Sequence, residues 1–188
     1  EGAKLTRWGQ GQFPSPLGTV IAANLVEHLG EAASAFLVDA GLSCMAGKIG
    51  ERIFSESLTV IDDGSSEDGL CSRTFDDEGT KTRKNTIVEN GVVKGYLHNV
   101  KTAAKFKTES TGNAGWKTPL PWNLIVEGGN IRFEEALEDT KTGLYIVSNW
   151  YTRFQNYSTG DFSTICRDGI FLIENGGIKG SLKGVRIS

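Results

Sequence analysis

KNTIVENGVVKGYLHN, residues 84–99, carries the signature of a β-hairpin. Two runs rich in β-branched residues flank Asn90-Gly91, the pair that best accepts the positive φ angles of a two-residue turn. The same Glu-Asn-Gly triplet recurs at 174–176, inside FSTICRDGIFLIENGGIKG (162–180), although two copies define no repeat period. Upstream, LTVIDD gives a short strand, Leu58 to Ile61, closed by Asp62-Asp63-Gly64. Downstream, NLIVEGGN (123–130), GLYIVSNWYTRF (143–154) and SLKGVRI (181–187) read as further strands. Turns are expected near Asp168-Gly169 and Gly176-Gly177. The sequence holds 24 glycines, enough to serve these reversals.

Helix signals gather before the hairpin. PSPLGTVIAANLVEHLGEAASAFLVDAG (14–41) offers Ser15 as N-cap, Pro16 at the first helical position and Gly41 as the stop. Leu17, Ile21, Leu25, Val26, Leu29, Ala33 and Phe36 recur at three- and four-residue spacing, which buries one face. Gly30 is the expected point of any kink. Shorter helices are expected at Val100 to Phe106 and at Arg132 to Glu138. The fold class is therefore α+β, mostly antiparallel sheet with one prominent N-terminal helix, expected as a single domain over 1–188 and as part of a longer chain.

Composition narrows the functional classes. The chain has 188 residues, 38% of them hydrophobic, and a formal net charge of −3. Charges of both signs are interleaved, so no basic footprint for nucleic acid stands out. No apolar run reaches the length of a membrane span. Cys44, Cys71 and Cys166 form no CxxC pair, fit a reducing, cytoplasmic compartment, and read as small buried apolar residues. Tyr145, Trp150, Tyr151 and Phe154 crowd one strand, either as core or as an interface.

Candidate chemistry is sparse. NLVEHLGEAASAF (24–36) sets Glu27 beside His28 and puts Glu31 on the His28 face, nearly a zinc-hydrolase helix. A zinc site needs three or four donors, and the usual catalytic helix brings two histidines and a glutamate. Only His28 and His98 exist in the sequence, on different elements, so an ordinary amphipathic helix explains the residues more simply. Asp76, Asp77, Glu78 and Gly79 fit no calcium loop and read as a turn whose carboxylates bind neighbouring N–H groups. TESTGNAGWKTPLPWNL (108–124) lacks the Lys-Ser/Thr pair of a phosphate loop, and its glycines suit a conformationally demanding loop.

Taken together, LTVIDDG, FDDEGTKTRKNTIVENGVVKGYL, STGNAG, STGDFS and GIFLIENGGIKG resemble the TldD/PmbA family, from about residue 14 onward. That family was formerly described as modulators of DNA gyrase and includes two-subunit zinc metallopeptidases that process peptides. The resemblance implies that the catalytic, TldD-type subunit carries His-Glu-x-x-x-His on the helix before the DDG strand. On this sequence the motif falls on Val26-Glu27-His28-Leu29-Gly30-Glu31, with Val26 and Glu31 at the histidine positions and Glu27 as a vestigial motif glutamate. The catalytic type's cysteine ligand falls beyond Ser188. The resemblance thus implies a PmbA (TldE)-type subunit with no metal and no catalytic residue of its own. Its expected partners are a zinc-bearing TldD-type subunit or a second copy of itself, and an extended peptide. Asp76, Glu78, Gly79, Thr111, Gly112 and Asn113 are the expected substrate-binding residues. A peptidase active by itself and a non-enzymatic gyrase-modulator protein are the alternatives.

Overall fold

The structure, a computed structural model, describes residues 26–127 and 131–188. They fall into two compact units, one of Val26–Glu127 with Tyr157–Gly160, the other holding the remaining described residues. The class is α+β with antiparallel sheets and short helices, as the sequence indicates.

In the first unit, α1 (helical over residues 26–32) and α2 (Ala35–Asp39) precede a sheet of order β3-β2-β1-β4. Its strands are β1 (Val60–Asp63), β2 (Lys84–Glu89), β3 (Val92–Val93) and β4 (Leu124–Val126). The hairpin forms as read: Asn90 and Gly91 adopt φ of 48° and 77°, and Val88 pairs with Val93. β1 lies centrally and begins two residues later than expected, at Val60, which is fully buried. Ala33, Ala35, Val38, Met45, Ile87, Val88 and Leu97 pack with it into one core, and Val26, Leu29 and Ala32 of α1 lie against this cluster.

The helical run does not continue unbroken to Gly41. It is interrupted at Ala33-Ser34, where Ala35 N–H donates to the Leu97 carbonyl (2.9 Å) and Leu97 N–H to the Ala33 carbonyl (2.8 Å). A strand-like exchange with Leu97 replaces a helical turn, a tertiary preference that local periodicity cannot reveal. Gly30 is no kink; it is helical and buried, and a Cβ there would lie 2.5 Å from Leu124 Cδ1. Its smallness permits close helix–sheet approach. Gly41 ends the run with φ of 70°. The expected cap at Ser15-Pro16 and the face residues Leu17, Ile21 and Leu25 lie outside the described residues, as does the turn at 128–130.

Helix α3 (Val100–Phe106) begins where its cap predicts. Asn99 Oδ1 accepts from Thr102 N–H at 2.8 Å, and Thr102 Oγ1 accepts from Asn99 N–H at 3.1 Å. This reciprocal pair satisfies two otherwise orphaned donors.

The second unit comprises α4 (Phe133–Glu138), β5 (Thr142–Asn156), β6 (Asp161–Glu174), β7 (Gly177–Ser181) and β8 (Arg186–Ile187). β6 pairs antiparallel with β5, β7 and β8. The turn between β6 and β7 uses Asn175 and Gly176, at φ of 50° and 78°. Asp168-Gly169 is not a chain reversal. Asp168 takes φ of 62° within continuous β6, where the pairing with β5 slips between Ile146 and Ser148. The pair is a bulge, a feature that shares the Asx-Gly signature of a turn. The aromatic run on β5 divides: Tyr145 packs between Phe133 and Phe171, while Trp150 and Tyr151 are 60% and 69% exposed. Among the cysteines Cys166 is buried and Cys44 half-buried. Cys71 is exposed, against the expectation of burial.

Candidate functional site

Two loops of the first unit, 74–82 and 110–123, are fastened together by residues singled out in the sequence. Asp76 is 3% exposed. Its Oδ1 accepts from Glu78 N–H (3.0 Å) and Thr80 N–H (2.9 Å), and its Oδ2 from Ala114 N–H (2.9 Å) on the other loop. The acidic block is thus a turn held by its own carboxylate, and Gly79 supplies φ of 81°. Glu78 reaches further: its Oε2 accepts from Val100 N–H at 2.7 Å, at the start of α3. Asp77 is exposed and pairs with Arg73 at 3.4 Å. Asp76, Asp77 and Gly79 border an open depression of about 570 Å³ that also meets Cys71, Arg73 and Phe75.

The second loop is held as tightly. Thr111 Oγ1 accepts from His98 N–H at 2.7 Å. Gly112 has φ of 74°, and a Cβ there would lie 2.4 Å from the Lys81 carbonyl oxygen. Asn113 is fully buried; its Nδ2 donates to Asp62 Oδ2 (2.6 Å) and to the Leu120 carbonyl (2.9 Å). Its Oδ1 accepts from Asn85 Nδ2 at 3.0 Å. Asp62 is also fully buried, and its Oδ1 accepts from Trp122 and Asn123 N–H at 2.6 and 2.9 Å. Burial pushes the Asp62 carboxyl above its usual range, opposed by donors from Asn113, Trp122 and Asn123, with the Asp63 charge adding to the rise. Sequence reading placed Asp62 only in a strand-ending turn. Its 51-residue separation from Asn113 left no local signal of the link.

His98 is 5% exposed, with Nδ1 3.3 Å from Thr102 Oγ1 and its ring packed edgewise on Phe106. Burial lowers its pKa, which favours the neutral ring. So the structure brings Asp76, Glu78, Gly79, Thr111, Gly112 and Asn113 into one framework. Both carboxylate oxygens of Asp76 and both polar side-chain atoms of Asn113 have partners inside it.

The α1 positions are a separate matter. Val26 is half-buried against the core, Glu27 is exposed, and His28 Nδ1 lies 3.4 Å from Glu31 Oε2. Zinc requires several nitrogen, sulfur or oxygen donors at about 2.0–2.3 Å. Valine provides none, and no cluster of three His, Cys, Asp or Glu side chains able to share a metal exists among the described residues. The residues of this helix do not fit the ion. Beside Glu31 the surface opens into a cleft of about 320 Å³, floored by Phe36, Leu37, Leu42, Pro119, Leu120 and Tyr157. Ser34 also lines this cleft, its hydroxyl donating to the Pro119 carbonyl at 2.8 Å. Nothing in the sequence pattern pointed to this cleft.

Comparison with known proteins agrees with this architecture. Residues 10–188 match the family model "PmbA/TldA metallopeptidase C-terminal domain". A metalloprotease of Methanocaldococcus jannaschii is 36% identical over 95% of the chain and 41% of its own length. Metalloprotease PmbA of Escherichia coli O157:H7 is 28% identical over 89% of the chain and 36% of its own length. Among solved structures, a proposed modulator of a DNA gyrase from Thermotoga maritima superposes with a TM-score of 0.81 at 33% identity, covering 90% of this chain and 39% of that one. TldE from Thermococcus kodakarensis gives 0.73 at 31% identity, covering 86% and 38%. The chain therefore spans about two fifths of the length of these relatives. It belongs to the PmbA/TldD metallopeptidase family, as a C-terminal-type domain.

Proposed function

We propose that this chain belongs to a PmbA (TldE)-type, non-catalytic subunit that shapes the peptide-binding chamber of a two-subunit metallopeptidase in the cytoplasm. The observation that carries the reading is Val26. By the sequence resemblance it falls at a histidine position of the family's zinc motif, and it packs a purely hydrocarbon side chain against the core. Glu31, at the other histidine position, pairs with His28 at 3.4 Å. Zinc then belongs to a TldD-type partner, and this chain contributes surface. The likeness to a TldE structure supports the same assignment. The framework around Asp76 and Asn113 suits a chamber wall, because loops whose polar groups are internally satisfied hold a fixed shape. Bound peptide is expected to lie extended, with main-chain bonds supplying sequence-tolerant affinity.

The test uses the full-length protein, alone and co-expressed with a TldD-type subunit. Alone, it should be a homodimer holding well under one zinc per chain after dialysis. Peptidase activity should arise only in the mixture, survive Glu27→Ala here, and vanish when the partner's motif glutamate is changed. Stoichiometric, chelator-resistant zinc in the isolated protein overturns the reading. So does loss of activity on Glu27→Ala in a complex that still assembles.

A further inference from the structure

We infer that the cleft beside α1 is a side-chain subsite for peptides that carry an apolar residue and, two positions away, a cationic one. The inference rests on the peptide-chamber reading above and names the substrate class of that chamber. The cleft measures about 320 Å³, room for more than one side chain. Its apolar members are unusually open: Phe36 and Leu42 are each 48% exposed, Leu120 43% and Tyr157 50%. The loop that provides Pro119 and Leu120 is fixed from beneath, because Leu120 N–H donates to the Asn113 carbonyl (2.9 Å) and Ser34 Oγ to the Pro119 carbonyl (2.8 Å). A preformed apolar floor loses little entropy on binding.

Charge decides the occupant. Among the described residues lining the cleft, Glu31 is the single carboxylate and none is lysine or arginine. Its side chain is 49% exposed, and its contact to His28 is 3.4 Å, at the long end for a hydrogen bond. That carboxylate complements an ammonium or guanidinium and repels an acidic peptide. In an extended peptide, side chains on one face recur every second residue, about 6.7 Å apart. An apolar–any–basic peptide puts both side chains on one such face and is the pattern to test.

The experiment is fluorescence polarisation on the full-length protein, with labelled octapeptides, blocked at both ends, centred on Leu-Ala-Lys, Leu-Ala-Glu or Ser-Ala-Lys. Leu-Ala-Lys should bind at least tenfold tighter than either of the others. Glu31→Lys should invert the charge order while keeping the preference for leucine over serine. Leu42→Asp should remove the leucine preference while circular dichroism stays unchanged. Equal binding of the three peptides, or a charge order untouched by Glu31→Lys, overturns the inference. Complex formation and cleavage with the TldD-type subunit are read on the same proteins. A working complex without peptide preference sinks the subsite alone, whereas an intact preference without any complex sinks the subunit reading alone.

Discussion

The loops of the first unit and the long strands of the second both place polar side chains beside buried backbone, with different degrees of closure. Around Asp62, Asp76 and Asn113 every side-chain oxygen and the Asn113 amide nitrogen find partners, several of them backbone N–H groups. On β5, Asn149 donates to the Thr152 and Thr164 hydroxyls at 2.7 and 2.8 Å. Its Oδ1 is buried without a partner among the described residues. Closure of the first kind fixes a loop's shape, because deletions orphan donors held by fixed backbone, the Ala114 N–H among them buried. The strand cluster has slack, since hydroxyl rotors can turn to new acceptors. Substitutions should therefore separate the two regions clearly.

The largest effect belongs to Gly112. Gly112→Val puts a side chain 2.4 Å from the Lys81 carbonyl oxygen and 2.9 Å from Thr82 Cα, at φ of 74°. Backbone on both sides cannot yield without undoing the junction of the two loops. The variant should give no soluble, cooperatively melting protein; a wild-type melt would show that these loops are not locked.

Next comes Asp76→Ala, which orphans three backbone N–H groups, those of Glu78, Thr80 and Ala114. Only the Ala114 bond is buried, at about 1–3 kcal/mol for its orphaned donor, while the two part-buried donors cost less, so the loss should reach roughly 2–3 kcal/mol. Asn149→Ala deletes bonds only to hydroxyls and should cost about 1 kcal/mol or less. Urea unfolding of both variants measures the contrast. Equal losses would end the distinction between closed and slack networks.

That contrast also explains what the sequence could disclose. α3 was legible to the residue, and the cap that fixes its start, Asn99 with Thr102, is local. The Asn90-Gly91 hairpin was legible because a two-residue turn demands φ values that few residues accept, and the second turn falls one residue before the expected Gly176-Gly177, at Asn175-Gly176. Asp168-Gly169 misled because a bulge and a turn ask the same of the backbone, and only the pairing of β5 with β6 tells them apart. The interruption at Ser34 was hidden because its cause, Leu97, lies 63 residues away. The site residues Asp76 and Asn113 could be picked out as loop residues. Their joining through Ala114 and Asp62 is a long-range event that no periodicity encodes. The apolar cleft was invisible for the same reason, since it gathers residues from α2, from the 118–120 loop and from Tyr157.

A smaller effect isolates backbone strain from packing. Gly79 has φ of 81°, and no atom lies within 4 Å of where a Cβ would stand, so Gly79→Val meets open space. Only the left-handed conformation opposes it, at about 1–2 kcal/mol. The variant should fold, with a midpoint lowered by that amount and with weakened pairing to a TldD-type subunit in co-purification. A loss as severe as that of Gly112→Val would mean that the acidic turn is wedged rather than strained.

The smallest and most discriminating change runs in the opposite direction. Tyr151 is 69% exposed and holds φ of 55°, where the register between β5 and β6 slips between Trp150 and Arg153. A bulky residue in the left-handed region carries about 1–2 kcal/mol of strain. Glycine removes that strain but frees the unfolded chain, which offsets roughly 0.5–1 kcal/mol of the gain. Tyr151→Gly should therefore leave stability unchanged or raise it by up to about 1 kcal/mol, read from the urea midpoint at constant m. If stability instead falls by more than about 1 kcal/mol, the exposed ring makes a contact that outweighs the backbone, and β5 must be counted among the closed regions of the molecule. If stability rises, the strain at Tyr151 is retained for something other than folding. Comparing the variant's affinity for the TldD-type subunit with that of the wild type then asks whether the bulge is part of the assembly surface.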